Sequence, residues 1–583
     1  MIASVTASRP WIPAESSPED AARLAKELRV SPAVATLLLQ RGLAERDDAA
    51  RFLSPSLLHL HPPEVIADLD RAVLQIAETA EAGGTVCIYG DYDVDGITGT
   101  AILVDACTEL GIPTRTYIPH RLEEGYGLNL EAVRTLAEEG VRLLVTVDGG
   151  ANDREELALA AELGLPVIVT DHHPIEGDLA PIPVVHPGRA DAPSPSATLC
   201  GAGVAYKLAW GLGKHYAGDE KVSPRFRSFL EEALALVALG TVADVVPLHG
   251  ENRALVAHGL RSFAKTPRPG IEALCEVCGI DRRRMTASDI GFRSGPHINA
   301  AGRMGEVEKA LELLLTRDRA RARELAKQLA TLNRRRKEVE QRMVDECVEE
   351  WESREAPPTK NGAVLFAREG WHSGVAGIVA ARMVDRLSRP VFVIALDEEI
   401  GRGSARSLDE LPLTDLYDTV RPTALSIGGH ACAGGVTIAR GEVDAFRAAL
   451  EGATVGAAEE TIPPRTFDLE LEASEFDLDF VRQLEVLAPF GAGNPEPIFR
   501  VAGLSLARPP RLVGRREEHL MLDLRRDGRT LSAIWFGGGE WAGEVIRRDA
   551  AERGALAFVV ALSEDHYRGV ARLRARIIDL CSE

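Results

Sequence analysis

Three carboxylates fall within five residues in Asp91-Tyr92-Asp93-Val94-Asp95, directly after the apolar run Val86-Cys87-Ile88-Tyr89-Gly90 and directly before Gly96. Acids this close repel one another unless a cation neutralises them or protons raise their pKa values. A divalent metal site is the economical reading. The β-branched, apolar run in front reads as a buried strand, and the residues after Gly96 (Ile97, Ala101, Ile102, Val104, Ala106) read as a helix. The acids therefore sit at a strand's C-terminal end, the edge where open α/β sheets bind ligands. The pattern Asp91-x-Asp93-x-Asp95-Gly96 also opens an EF-hand calcium loop, which needs a Glu at its twelfth position and a helix in front. Ile102 occupies that position and a strand precedes, so the calcium loop is rejected.

The strands that must carry further ligands come in alternation with helical stretches: Thr114 to Pro119, Leu143 to Asp148, Val167 to Asp171 and Ile182 to His186. Such alternation predicts a mostly parallel sheet with crossover helices. Two of the runs end in aspartate, Asp148 before Gly149-Gly150 and Asp171 before His172-His173-Pro174. A single strand-terminal Asp is more often a helix cap than a ligand, but three acidic strand ends with a His pair attached favour one cluster. Asp244, in Gly240-Thr-Val-Ala-Asp244-Val-Val-Pro247, lies in an apolar setting where an unpaired carboxylate is costly. It either reaches the same cluster or makes a buried salt bridge.

In order and spacing, Asp91-Tyr-Asp93-Val-Asp95-Gly96, Val147-Asp148-Gly, Asp171-His172-His173 and Gly240-Thr-Val-Ala-Asp244 resemble the DHH phosphoesterase superfamily. Gly295-Pro-His-Ile-Asn299-Ala-Ala-Gly302-Arg303, Gly401-Arg402-Gly403-Ser404-Ala-Arg406 and Gly428-Gly429-His430 resemble the branch of that superfamily that degrades single-stranded DNA. The resemblance implies two metal ions, Mn2+ with Mg2+ as the alternative, held by Asp93, Asp95, Asp148, His172 and Asp244, with Asp148 as the bridge. It implies that His173 touches the scissile phosphate and that Asp91 ligates or orients. Ser404, Arg406 and Arg121 are implied to hold a 5′-terminal phosphate, with Asn299, Arg303 and His430 as further substrate contacts. Gly149 and Ala151-Asn152 depart from the family pattern beside Asp148 but leave the ligand intact. Oxygen and imidazole donors suit manganese, and no Gly-x-x-x-x-Gly-Lys phosphate loop suggests an NTP-driven motor.

At 583 residues, several domains are expected. The boundaries read as a helical lead-in over 1–75, a catalytic α/β domain over 76–305, a connecting helix and linker over 306–358, a second α/β domain over 359–458 and a barrel over 461–583. The lead-in reads as a packing collar for the adjacent catalytic domain. The Leu325, Leu329, Leu332, Val339, Met343 and Cys347 spacing predicts one helix from Asp318 to Glu352, on the order of 50 Å long. Its Arg334-Arg335-Arg336-Lys337 is either a phosphate track or a solvated charge run. The alternating strands after Thr461 suit a small barrel, which the resemblance makes an OB-fold. There Arg511, Arg515, Arg516, Arg525 and Arg526, with Trp535 and Phe536, are either a single-strand platform or core aromatics and solvated arginines.

The formal net charge of −21 argues against coating nucleic acid by bulk attraction, but local basic grooves stay allowed. Eight scattered cysteines lack a disulfide framework, and Cys275-Glu-Val-Cys278 reads as core rather than zinc. The N-terminus has no basic start with an apolar core, and no window reaches about 18 apolar residues, so a cytoplasmic protein with no membrane contact is expected. The combined expectation is a two-metal phosphodiesterase that cuts single-stranded DNA 5′→3′ to nucleoside 5′-monophosphates in DNA repair and recombination. The resemblance adds a helicase and a single-strand-binding protein as partners, and nothing demands more than a monomer. Two rivals are a phosphodiesterase for short oligoribonucleotides or cyclic dinucleotides, and a catalytically silent nucleic-acid scaffold.

Overall fold

Five parallel strands build the sheet that carries the acids, in the spatial order Thr114–Tyr117, Val86–Gly90, Leu143–Val147, Val167–Thr170, Val184–Val185. The computed structural model describes residues 10–354, 362–453, 464–514, 516–552, 554–567 and 570–581. In this sheet the chain runs from Val86–Gly90 to one side and then returns to the other, so the crevice between Val86–Gly90 and Leu143–Val147 is a topological switch point. Both strands are buried throughout, as their unbroken apolar runs require in a sheet covered on both faces. Asp93 begins the following helix, Val94–Leu110, by accepting from the backbone N–H groups of Asp95 and Gly96. That helix packs on Gly201–Ala217 and Pro224–Ala243, whose buried faces are mostly Ala, Gly, Val and Leu.

The same unit, His61–Val246 with His258–Glu460, contains the predicted long helix, Arg319–Glu352, capped by the Asp318 side chain. Leu325, Leu329 and Leu332 bury on the helices of the catalytic domain. Met343 and Cys347 join the core of a second sheet. That sheet has the order Ser426–Gly429, Ala433–Ala439, Ile400–Arg406, Val391–Leu396, Val364–Glu369, with only the last pair parallel. The linker expected from Glu355 lies outside the described residues up to 361, and Thr461 to Pro463 and Arg515 lie outside them too.

The other unit closes a barrel: Ile498–Leu506 pairs with Leu556–Tyr567 on one side and with His519–Arg526 on the other. The lead-in is helical as expected, with Pro18–Leu28, Pro32–Gln40 and Arg46–Leu53, the first two on Ser17 and Ser31 caps. Expected as a collar for the domain that follows, they belong instead to the unit of the barrel. Leu24, Leu37, Leu38 and Phe52 share one core with Phe480, Phe499 and Phe558 of the C-terminal unit. Arg253, fully buried in this core, ties it together by donating to the carbonyls of Phe52 (2.7 Å), Leu487 (2.9 Å) and Ala488 (2.9 Å). No helix among the described residues is long and apolar enough to cross a membrane.

Candidate metal centre and anion pocket

Parallel register places Gly90 beside Val147, so the chain leaves both strands at the same level and delivers Asp91 and Asp148 to one spot. Asp148 holds a left-handed backbone (φ 67°), a conformation that Asp tolerates better than most residues. Its N–H donates to the Thr170 carbonyl (3.0 Å) and its own carbonyl accepts from the Tyr126 hydroxyl (3.0 Å). Asp95 reaches the start of the helix Gly201–Ala217, where its carboxylate accepts from the N–H groups of Gly201 (2.6 Å) and Ala202 (2.9 Å); a helix N-terminus favours that negative charge. Two glycines make the approach possible. A Cβ on Gly201 would lie 2.6 Å from Asp148 Oδ1, and one on Gly240 would lie 2.4 Å from Asp95 Oδ1.

His172 Nε2 faces this group, 3.1 Å from Asp148 Oδ1, 3.5 Å from Asp244 Oδ2 and 3.8 Å from Asp95 Oδ2. Burial, reinforced by His173, lowers the His172 pKa to about 4, so the ring is neutral. On the acids, burial and like charge both act upward. Asp95 is pushed up to about 6 by burial and Asp93, and Asp244 to about 8 by burial, Asp95 and Asp93. Asp91 and Asp148 are raised well above the carboxylate range, first by burial and then by their neighbours' charges. Asp91 Oδ1, Asp148 Oδ1, His172 Nε2 and Asp244 Oδ2 are buried and lack hydrogen-bond partners. Buried polar atoms seldom stay unpaired. The donors fall into overlapping sets, Asp148 with His172 and His173, Asp95 with His172 and Asp244, and Asp91 with Asp93 and Asp148, and these hard or borderline donors fit divalent cations.

The His pair divides into two environments. Asp171 turns away from the cluster: one oxygen accepts from the N–H groups of His172 (2.7 Å) and His173 (3.1 Å) and contacts His173 Nδ1 at 2.8 Å, while the other accepts from Ala151 N–H (3.1 Å). Burial alone would lower the His173 pKa, but the Asp171 hydrogen bond and surrounding carboxylates overcome it, and the pKa is raised. Asp171 is visible in the sequence as a strand-terminal acid but not in this positioning role, and neither is Tyr126, which lies 3.0 Å from His173 Nδ1, or His186, whose Nε2 is 2.8 Å from the His173 carbonyl. The glycines on either side of Tyr126 were the available signal.

Among the expected substrate residues, a basic cluster forms on the second sheet and the helix ends facing it. The Arg406 guanidinium and Ser404 hydroxyl lie against Gly377 of the helix Ser373–Leu387, where a Cβ would stand 3.0 and 3.4 Å from them. Arg303 donates to the Gly374 carbonyl (3.0 Å) at the start of that helix. Burial, then repulsion from Arg121, Arg336 and Arg406, lowers the Arg303 pKa to about 9, while Asp93 pulls the other way. Arg406 is lowered by burial and by Arg121, and Arg121 lies over the Tyr92 ring at 4.5 Å. The arginine run on the long helix splits: Arg334, Arg335 and Lys337 are exposed, whereas Arg336 turns inward with a buried, unpaired Nε.

Other candidates land differently. Asn299 Oδ1 accepts from Val94 N–H (3.2 Å), so that part of its amide braces the acidic loop. His430 is exposed in the turn between Ser426–Gly429 and Ala433–Ala439. Cys275 is buried, and Cys278 Sγ is 3.3 Å from His297 Nδ1. Trp535 is buried and stacked on Trp541, a core residue rather than a base platform, and Arg526 donates to the carbonyls of Leu471 and Ala502. Phe536 is exposed.

Three family descriptions match the chain: DHH family, N-terminal domain, over residues 85–241; DHHA1 domain over 359–455; and RecJ OB domain over 467–579. The single-stranded-DNA-specific exonuclease RecJ of Salmonella typhimurium is 36% identical over 543 residues, covering 88% of this chain and 91% of that protein. The chain belongs to the RecJ family. The Bacillus subtilis RecJ is 34% identical over 522 residues, 89% of this chain, and the match spans 64% of that relative's length. A crystal structure of RecJ from Thermus thermophilus in complex with Mn2+ superimposes with a TM-score of 0.81 at 31% identity, covering 98% of this chain and 79% of that one. The same protein in complex with Mg2+ gives 0.75 at 30%, covering 98% and 78%. The α/β, second-domain and OB-barrel architecture expected for the RecJ family is thus present in full.

Proposed function

We propose that this chain is a divalent-metal-dependent exonuclease that hydrolyses single-stranded DNA from its 5′ end to nucleoside 5′-monophosphates. The observation that carries the proposal is the set of four unpaired, buried donor atoms on Asp91, Asp148, His172 and Asp244, with the mutually repelling Arg121, Arg303 and Arg406 in the same unit. Asp93, Asp95, Asp148, His172 and Asp244 would hold the ions, with Asp148 shared and Asp91 ligating or orienting. Bound there, a pair of divalent ions supplies Lewis acidity, favouring ionisation of an attacking water and offsetting charge on the leaving oxygen of an in-line displacement.

The protein's own groups do the positioning. The amides of Gly201 and Ala202 fix Asp95, so one carboxylate cannot swing aside. Asp171 fixes the His173 ring and favours its protonation, which suits it to donate a hydrogen bond to a phosphate oxygen. Arg406, Ser404 and Arg121 would take the 5′-terminal phosphate, with Arg303 between that pocket and Asp93. A pocket for one chain end at a set distance from the cleavage centre gives polarity. The family reading also carries a helicase that supplies single strands, a single-strand-binding protein, a monomeric state and a cytoplasmic location. The test is digestion of long single-stranded DNA labelled at either end, with Mn2+, beside duplex DNA, short RNA and a cyclic dinucleotide. Early release of the 5′ label as a mononucleotide, with the duplex intact, is expected. Loss of only the small substrates would move the chain to the oligonucleotide phosphodiesterases.

A further inference from the structure

The helix Pro224–Ala243 ends at Asp244, and the next residue, Val245, takes the left-handed conformation with φ 62° while its N–H donates to the Val242 carbonyl (3.3 Å). This is the position after a helix end where glycine or asparagine is usual. Among the described non-glycine residues with positive φ, Val245 alone is β-branched, and for such a side chain the conformation is a costly outlier. Burial does not offset the cost, because Val245 is 69% exposed. A strained backbone bearing an exposed apolar side chain, one residue from a carboxylate of the candidate metal centre, marks a side chain kept for contact with something absent from the fold. The π-helical turn Ile290–Ser294 packs against the same end of this helix, since a Cβ on the adjoining Gly295 would stand 3.8 Å from Ala243 Cβ. That turn carries Phe292, 81% exposed. Turns of this kind are frequent at functional sites.

We propose that Val245 is a positioning residue for the nucleic-acid substrate, packing its isopropyl group against the nucleobase of the nucleotide being removed. The proposal rests on the exonuclease reading. Phosphates are drawn to the arginine cluster, and the base is the part of a nucleotide that gains from an apolar neighbour. Val245 thereby sets the orientation of the terminal nucleotide while the acids and His173 face its phosphate.

The test compares wild type with Val245→Gly and Val245→Asn, both of which relieve the backbone strain. Each is assayed for melting temperature in EDTA, Mn2+ affinity by calorimetry, and kcat/KM on 5′-phosphorylated single strands with either an ordinary or an abasic terminal nucleotide. The expected result is an equal or higher melting temperature, unchanged Mn2+ affinity, and a loss of roughly fivefold or more in kcat/KM on the ordinary strand. On the abasic strand the loss should vanish. Undiminished cleavage of the ordinary strand overturns the proposal. An equal loss on both strands also overturns it and points to a backbone contact. A wild type that cuts neither strand fails the exonuclease reading itself.

Discussion

His172 Nε2 stands 3.1 Å from Asp148 Oδ1, and neither atom has a hydrogen-bond partner. With the imidazole neutral, both atoms lie buried without a partner, a deficit that a cation bound between them would remove. The substitution Asp148→Asn tests this. Asn keeps the shape and accepts the left-handed backbone, and it removes a carboxyl that burial and the neighbouring acids make costly to ionise. In EDTA the variant is expected to melt at or above the wild-type temperature; with Mn2+ added it should gain little, and cleavage should fall by at least about a thousandfold. Near-normal turnover would remove Asp148 from the centre.

Stability without metal should depend on pH in a definite direction. Asp95 and Asp244 have folded pKa values near 6 and near 8, against 3.8 for the ordinary group. Between those limits the folded state binds more protons than the unfolded one, so stability falls as pH rises from about 4 to about 8. Thermal melts in EDTA should therefore decline from pH 6 to pH 8, and the rise produced by Mn2+ should be larger at pH 8. A pH-independent melt over that range would contradict the buried, like-charged cluster.

Asp171 is expected to act through His173 and the loop rather than on the ions. Asp171→Asn loses the charge that holds the ring while retaining an acceptor for the N–H groups of His172 and His173. Losses on removing such orienting partners run to roughly 10–100-fold. The expected effect is a fall of that size in kcat, with a smaller change in Mn2+ affinity measured by calorimetry. Abolished metal binding with a folded chain would make Asp171 a ligand.

Arg406 lies with Ser404 against the helix Ser373–Leu387, within electrostatic reach of Arg121 and Arg303. Arg406→Ala should lower the preference for a 5′-phosphate over a 5′-hydroxyl by about tenfold or more, the scale of one charge-assisted hydrogen bond. The ratio of kcat/KM values on the two substrates measures it, and an unchanged ratio would place end recognition elsewhere.

Much of the site was legible because its residues are short-range signals. Asp91 to Asp95 follow a strand, and Asp148 and Asp171 end two others, so periodicity places all three segments on one sheet edge. What pattern could not supply is direction. Asp171 resembles its neighbours in sequence but turns toward the His172 and His173 amides, a local choice that residue pattern does not encode. Long-range partners were equally hidden: Gly201 and Gly240 read as ordinary helix glycines until their Cα atoms meet Asp148 and Asp95. Trp535 stays open in sequence between platform and core because strand alternation does not say which face is inward; the structure buries it. The N-terminal helices are legible as a helical lead-in, yet their partner lies more than four hundred residues away, in Phe480 and Phe499.

The most direct test of the two-ion centre is a crystal of this protein soaked in Mn2+, with anomalous difference density collected at the manganese edge. Two peaks are expected about 3.5–4 Å apart, both within bonding distance of Asp148 and one also within bonding distance of His172. Peaks at other residues, or none beside Asp148, would contradict the assignment on which the proposed chemistry stands.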